Sequence, residues 1–275
     1  MRIAIFGEAM VEFDANFQRS FAGDTLNVAA TTAKLGIETQ YCMKIAEDIF
    51  YADFLKTFEK LKLNLSLVKT NGQNGLYFIN NTADGERVFQ YYRKNSAASQ
   101  LHFNELPKEF FETDLIYNSG ITAALSENCA QAVLESFKLA KSKSIMTAFD
   151  CNYRPALWDI ESAHEFLKTI ISYVDILFLS EDDLPVLKNL SHSFQIIRRG
   201  IEGSEVIKDG ESKKYPALKV KAIDTTGAGD IYAGGFLAEY IRSKDIEKSA
   251  ILATKLSSLQ VQARGGLPSE EIKYE

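Results

Sequence analysis

Asp224-Thr225-Thr226-Gly227-Ala228-Gly229-Asp230 is the stretch that decides how this chain is read. It lies between an alternating segment, residues 215–223, and a helix-patterned one, residues 231–242, and so predicts a strand-to-helix turn. Gly227 and Gly229 leave the backbone bare, so an anion can approach the N–H groups that open the helix. The positive end of the helix dipole adds to their attraction. Asp230 then stands beside an anion hole, where a bound phosphate would repel it. A carboxylate in that place suits taking a proton from an attacking hydroxyl. An isolated G-x-G-D is better read as a flexible turn with Asp230 as helix N-cap. The slim next turn, Ala233-Gly234-Gly235, favours the anion hole. The expected catalytic set is therefore Asp230 with Gly227, Ala228 and Gly229.

Upstream of this turn the pattern alternates between strand and helix. Strands are expected at residues 3–6, 39–43, 115–118, 145–149, 176–179 and 194–197. Helices are expected at 25–35, 49–61, 127–141, 162–173 and 181–187. Asp24 is the expected N-cap of the helix at 25–35, and Gly36 its stop. An antiparallel pair, 205–208 and 213–220, leads into the glycine turn, and helices at 231–242 and 246–262 follow it. This order implies an α/β fold: a doubly wound, mostly parallel sheet with helices on both faces. Two aromatic, β-rich runs, 75–80 and 87–93, interrupt it, with Asp84-Gly85 as a hairpin signal between them. Such a hairpin cannot pack inside the sandwich at that point in the chain. With the alternating segment after Met10 it is expected to form a small β lid, from about 10–21 and 73–95, on a single domain spanning 1–275.

The 275 residues are 46% hydrophobic and 25% charged, enough for a large core without staples. Cys42, Cys129 and Cys151 show no C-x-x-C spacing, and His102, His164 and His192 no paired spacing. Neither a disulfide framework nor a protein-held metal site is expected, and a reducing cytoplasm fits. No apolar run reaches membrane-span length, and residues 1–7 read as a strand and not a signal peptide. A net charge of −6 argues against nucleic acid or an anionic membrane as partner. An anionic small molecule would need a few local cations.

Four further segments carry polar groups suited to ligands. Gly23-Asp24-Thr25-Leu26-Asn27 combines capping chemistry with a carboxylate and an amide that suit sugar hydroxyls. On Tyr91-Tyr92-Arg93, alternation puts Tyr91 and Arg93 on one face, a possible grip on a carboxylate, while an ordinary surface strand fits the same pattern. Asn152 and Arg154 follow the strand at 145–149, at the crevice end of a parallel sheet, where turn chemistry also suits them. Arg198-Arg199-Gly200-Ile201-Glu202-Gly203 allows close backbone approach and also reads as a hairpin turn. Glu181-Asp182-Asp183 reads as a negative first helical turn, with water-mediated magnesium as the alternative. Gly7-Glu8-Ala9 lacks the third glycine of a dinucleotide fingerprint, and Glu8 and Glu12 would repel a pyrophosphate.

Taken together, these segments resemble the ribokinase-like, or PfkB, carbohydrate kinases from about residue 3 to 268. The run Asp224–Asp230 is similar to that family's C-terminal signature. Within the family the similarity is greatest to the kinases of 2-keto-3-deoxygluconate, through stretches such as Gly75-Leu76-Tyr77-Phe78-Ile79, Gly85-Glu86-Arg87-Val88-Phe89-Gln90-Tyr91-Tyr92-Arg93 and Asn152-Tyr153-Arg154-Pro155-Ala156-Leu157-Trp158. The resemblance implies Asp230 as the base and Gly227, Ala228 and Gly229 as the anion hole. It implies Gly23, Tyr77, Tyr91, Arg93 and Arg154 as contacts to a sugar acid, joined by Asp24, Asn27 and Asp230. It implies ATP held near Asn152, Arg154, Arg198, Gly200, Gly203, Gly227 and Gly229. Mg2+ would arrive with the nucleotide, and K+ is a candidate monovalent ion. A homodimer through the lid is a further implication. The chain departs from many relatives at Ala22, at Ser180-Glu181-Asp182-Asp183, and near Arg264-Gly265-Gly266, where an acidic residue is missing. The implied activity is phosphorylation of 2-keto-3-deoxygluconate at its C6 hydroxyl. A neutral-sugar kinase of the fructokinase kind, or a non-catalytic sugar-sensing protein on the same fold, are the alternatives.

Overall fold

The computed structural model describes residues 1–81 and 87–269. Its strands are β1 (Arg2–Phe6), β2 (Met10–Phe13), β3 (Arg19–Ala22), β4 (Glu38–Ala46), β5 (Asn64–Thr70), β6 (Leu76–Asn81), β7 (Arg87–Tyr92), β8 (Leu115–Ser119), β9 (Met146–Asp150), β10 (Ile176–Ser180), β11 (Phe194–Arg198), β12 (Ser204–Lys208) and β13 (Glu211–Tyr215). Its helices are α1 (Asp24–Lys34), α2 (Tyr51–Lys60), α3 (Gly120–Ala124), α4 (Glu127–Ser142), α5 (Ile160–Ile170), α6 (Leu184–Leu187), α7 (Ala228–Ser243) and α8 (Ile246–Gln260).

Among the described residues two sheets form. The large one runs β13-β12-β11-β10-β9-β8-β1-β4-β5. It is parallel from β11 through β5, and β12 and β13 add an antiparallel edge. Strands covered on both faces need apolar residues at every position. In β1, Ile3 and Ile5 enter one core layer with Phe236 and Leu237 of α7, while Ala4 and Phe6 enter the other with Val133 and Phe137 of α4. The small sheet runs β3-β2-β6-β7 and is the expected lid. The Asp84-Gly85 hairpin signal lies outside the described residues.

Three expectations change. The strand expected at 213–220 stops at Tyr215, because Pro216 has no N–H to continue a ladder. The glycine run therefore opens α7 from a loop instead of from a strand end. Asp24 does not cap α1: the N-cap is Gly23, and Asp24 lies in the first turn. The sequence pattern did not single out β5, a partly buried edge strand with Leu65 and Leu67 against one core layer and Val68 against the other.

Candidate active site

Asp230 is the third residue of α7, whose N-cap Gly227 adopts the left-handed conformation at φ 72°. A Cβ at Gly227 would lie 2.6 Å from Gly266, so both the turn and its packing demand glycine. The left-handed glycine is thus Gly227, whereas Gly229 is helical. Asp224 braces the turn: its Oδ1 accepts from Thr226 N at 2.8 Å and its Oδ2 from Gly265 N at 2.8 Å. The N–H groups of Gly229 and Asp230, in the first turn, have no carbonyl four residues back within the helix.

The Asp230 carboxylate accepts a hydrogen bond from Asn27 Nδ2 at 2.8 Å. It is partly open to solvent yet closely surrounded by protein. Burial pushes its pKa up to about 7, helped by the negative charge of Asp24. The Asn27 bond and the Arg198 charge pull the other way. Asn27 itself is buried, with Oδ1 making no hydrogen bond among the described residues. Asp24 accepts from Ser119 Oγ at the end of β8.

The lid's inner face carries the second group. Tyr77 on β6 donates its hydroxyl to Glu12 on β2, and Glu12 also accepts from Ser20 Oγ at 2.7 Å. The Tyr77 and Tyr91 rings lie 5.4 Å apart. Burial raises the Tyr91 pKa, while Arg93 and Arg154 lower it and Asp24 and Glu12 raise it, so four charged groups surround one phenol. Burial first, and Glu12 next, push the Tyr77 phenol well up, and Asp230 adds to the effect. The structure thus gathers Asp24, Tyr77, Tyr91, Arg93, Arg154 and Asp230, and adds Glu12. Arg93 is already paired, its Nη2 lying 2.6 Å from Glu8 Oε2. Arg154 is exposed, donates from Nη1 to its neighbour's carbonyl, and makes no ion pair among the described residues. Gly23 has no room for a side chain, because a Cβ there would lie 2.2 Å from the Glu8 carbonyl oxygen.

A cleft of about 830 Å3 opens on the other side of the α7 start. Arg198, Gly200, Gly203, Ala228 and Gly229 line it, as does Tyr232. Gly200–Glu202 forms the turn between antiparallel β11 and β12, so the hairpin reading of that loop holds. Arg198 points inward: Nη1 and Nη2 donate to Asp150 Oδ2 and Oδ1 at 2.6 and 2.7 Å, and Nη1 reaches the Gly229 carbonyl at 3.2 Å. Burial works against this charge, but the Asp150 carboxylate outweighs it and holds the guanidinium above its usual range. Asn152 and Arg154, grouped by sequence with these residues, do not line the cleft. Asn152 is buried, with a left-handed backbone at φ 40°. Asp183 holds the loop after β9 by accepting from Tyr153 N at 2.7 Å, and also accepts from Ser180 N and Oγ. Glu181 pairs with Arg199. Sequence reasoning did not single out Asp150 or Glu12, and it weighed Asp183 for magnesium and not for holding the loop after β9. The available signal was position, since Asp150 and Asp183 follow or close the carboxyl ends of β9 and β10.

The description "pfkB family carbohydrate kinase" matches residues 3–273. The 2-dehydro-3-deoxygluconokinase of Dickeya dadantii is 29% identical over 96% of this chain and 96% of its own length. A protein of Arabidopsis thaliana named probable fructokinase-5 is 30% identical, over 86% of this chain and 81% of its own. A Xylella fastidiosa fructokinase solved with bound ATP shares the fold at a TM-score of 0.87 and 21% identity, over 97% of this chain and 95% of that one. With a family match across nearly its whole length, this chain belongs to the pfkB family of carbohydrate kinases and is a sugar kinase.

Proposed function

We propose that this kinase transfers the γ-phosphoryl group of ATP to the C6 hydroxyl of 2-keto-3-deoxygluconate, giving 2-keto-3-deoxy-6-phosphogluconate. The observation that carries the reading is Asp230. Its pKa of about 7 suits a base working near neutral pH, and it stands at a helix start between the lid-side cluster and the open cleft. Asp230 takes the hydroxyl proton as the oxygen attacks phosphorus, and Asn27 holds the carboxylate in line. The N–H groups of Gly229 and Asp230 face the charge that develops on the phosphoryl oxygens. Mg2+, carried on the nucleotide, supplies charge neutralisation when bound. Arg154, exposed and without an ion-pair partner among the described residues, and Arg93 meet the substrate carboxylate, with Tyr77 and Tyr91 beside it. The lid excludes water from the transfer. The relative from Dickeya dadantii supports this substrate.

One observation favours a neutral sugar instead. Glu8 already balances the Arg93 charge, leaving Arg154 as the second cation, and a fructokinase-named relative is about as similar. ADP release across ketodeoxygluconate, ketodeoxygalactonate, gluconate, fructose and ribose, with and without K+, tests both. A higher kcat/KM on fructose or ribose than on any acid sugar sinks the proposal. No ADP release with any sugar points to a sensing protein. We further propose that the lid's outer face pairs two copies. Phe78 meets Phe17 and Tyr92 there edge-on at 6.3 and 6.0 Å, and Phe17 and Tyr92 are 75% and 56% exposed.

A further inference from the structure

The chain passes between lid and main sheet at four places: residues 7–9, 23, 71–75 and 93–97. All four meet around one side chain. Glu8 belongs to the first passage and is 1% exposed. Its carbonyl oxygen abuts Gly23 of the second, where a Cβ would come within 2.2 Å. Its Oε1 occupies the space a Cβ at Gly75 would need, 2.5 Å away, in the third. From the fourth, Ser96 Oγ donates to Oε1 at 2.6 Å, and Arg93 Nη2 lies 2.6 Å from Oε2. The two charges touch without the alignment of a hydrogen bond. Glu8 Oε2, Arg93 Nε and Arg93 Nη2 make none among the described residues.

We propose that Glu8 is a positioning residue for recognition of the sugar carboxylate, holding the Arg93 guanidinium at the root of the lid beside Tyr91. The inference rests on the sugar-acid reading above. Arg93 has a side chain only 10% exposed, and an unpaired buried guanidinium would withdraw toward water. Glu8 prevents that by charge alone, while Ser96 fixes the carboxylate from the far oxygen. The partner that suits a guanidinium edge is a planar oxygen pair, such as a carboxylate. The charges also balance. Glu8 cancels Arg93, the substrate carboxylate cancels Arg154, and Arg93 contributes direction more than net charge. The Arg93 centre lies 5.7 Å from the Tyr91 ring, and Arg93 does not line the cleft beside the α7 start.

A double-mutant cycle on kcat/KM tests this, using Glu8→Gln, Arg93→Ala and the pair, with ketodeoxygluconate and with the best neutral sugar. Glu8→Gln keeps shape and the Ser96 contact but removes the charge. Its KM for the acid should rise about tenfold with kcat within about threefold, and the neutral sugar should change little. In the Arg93→Ala background it should have almost no further effect. Equal losses on both sugars, additive losses in the double variant, or a lower KM for the acid would each overturn the proposal. Ser96→Ala should reproduce the effect more weakly, and it carries the test if Glu8→Gln does not fold. The wild-type panel reports on the sugar-acid reading by itself. A wild type confined to neutral sugars removes that reading and this one with it, whereas an acid-preferring wild type with an additive cycle removes only Glu8.

Discussion

Asp230 combines two consequences of one environment. Burial and the Asp24 charge raise its pKa to about 7, so this carboxylate, the proposed base, is half protonated near neutrality. As pH falls below about 7, kcat/KM should fall about tenfold per unit, because the ionised form does the work. A pH–rate profile flat from 5 to 8 would contradict this. The stability sign follows from the same shift. Between the ordinary carboxylate range and pH 7 the folded chain holds a proton that the unfolded chain has released. Folding therefore loses stability as pH rises through that window, and keeps the loss above it. Asp230→Asn cannot ionise. Its ligand-free Tm should exceed wild type at pH 8, with the gap closing toward pH 4, while kcat drops about a hundred- to ten-thousand-fold. Calorimetry and the ADP assay read the two effects, and a variant keeping more than half of wild-type kcat removes Asp230 from the mechanism. Arg93→Ala tests substrate class. Truncating one partner of a desolvated charge pair costs about 2–5 kcal/mol, here in kcat/KM for the acid sugar and not for a neutral one. An equal drop on both sugars would favour the neutral-sugar kinase.

The start of α7 is held from beneath by Arg198, which links β11, β9 and the helix's own first turn. A Cβ at Gly229 would come 3.0 Å from Arg198 Nη1, so the glycine serves the ion pair as well as the proposed anion hole. Gly229→Val should therefore reduce both turnover and Tm, displacing the guanidinium while covering the helix N–H groups. Unchanged ATP turnover with a lower Tm would make the turn structural only. Asp150→Asn should destabilise the fold by about 3–5 kcal/mol, because it leaves a buried guanidinium unmatched. Urea unfolding monitored by circular dichroism gives that figure, and a loss under about 1 kcal/mol would show the pair to be solvated.

The molecule as a whole joins a nine-stranded sheet to a four-stranded lid sheet, with Glu8 in the first passage between them. If two copies pair through the lid, Tyr92→Glu should convert a dimer to a monomer in sedimentation velocity. A wild type that sediments as a monomer at micromolar concentration removes the dimer. Local pattern in the sequence carried the body of the fold. The runs 3–6 in β1 and 176–179 in β10 are apolar throughout because both faces are covered, and helical period marked α1, α4 and α7, with Gly36 as the stop of α1. Asp230 was legible for the same local reason, since carboxylate and glycines are neighbours in the chain. Edge strand β5 and the end of β13 were not, because partial burial at a sheet edge and a single proline decide them. The partners of charged groups were beyond reach of any local pattern. Asn27 meets Asp230, Arg198 meets Asp150 and Arg93 meets Glu8 across 203, 48 and 85 positions of the chain. Side-chain charge and size set which residues can carry chemistry. Which of them are paired, buried or left to face a ligand is set by how strands far apart in sequence are brought to one end of the sheet.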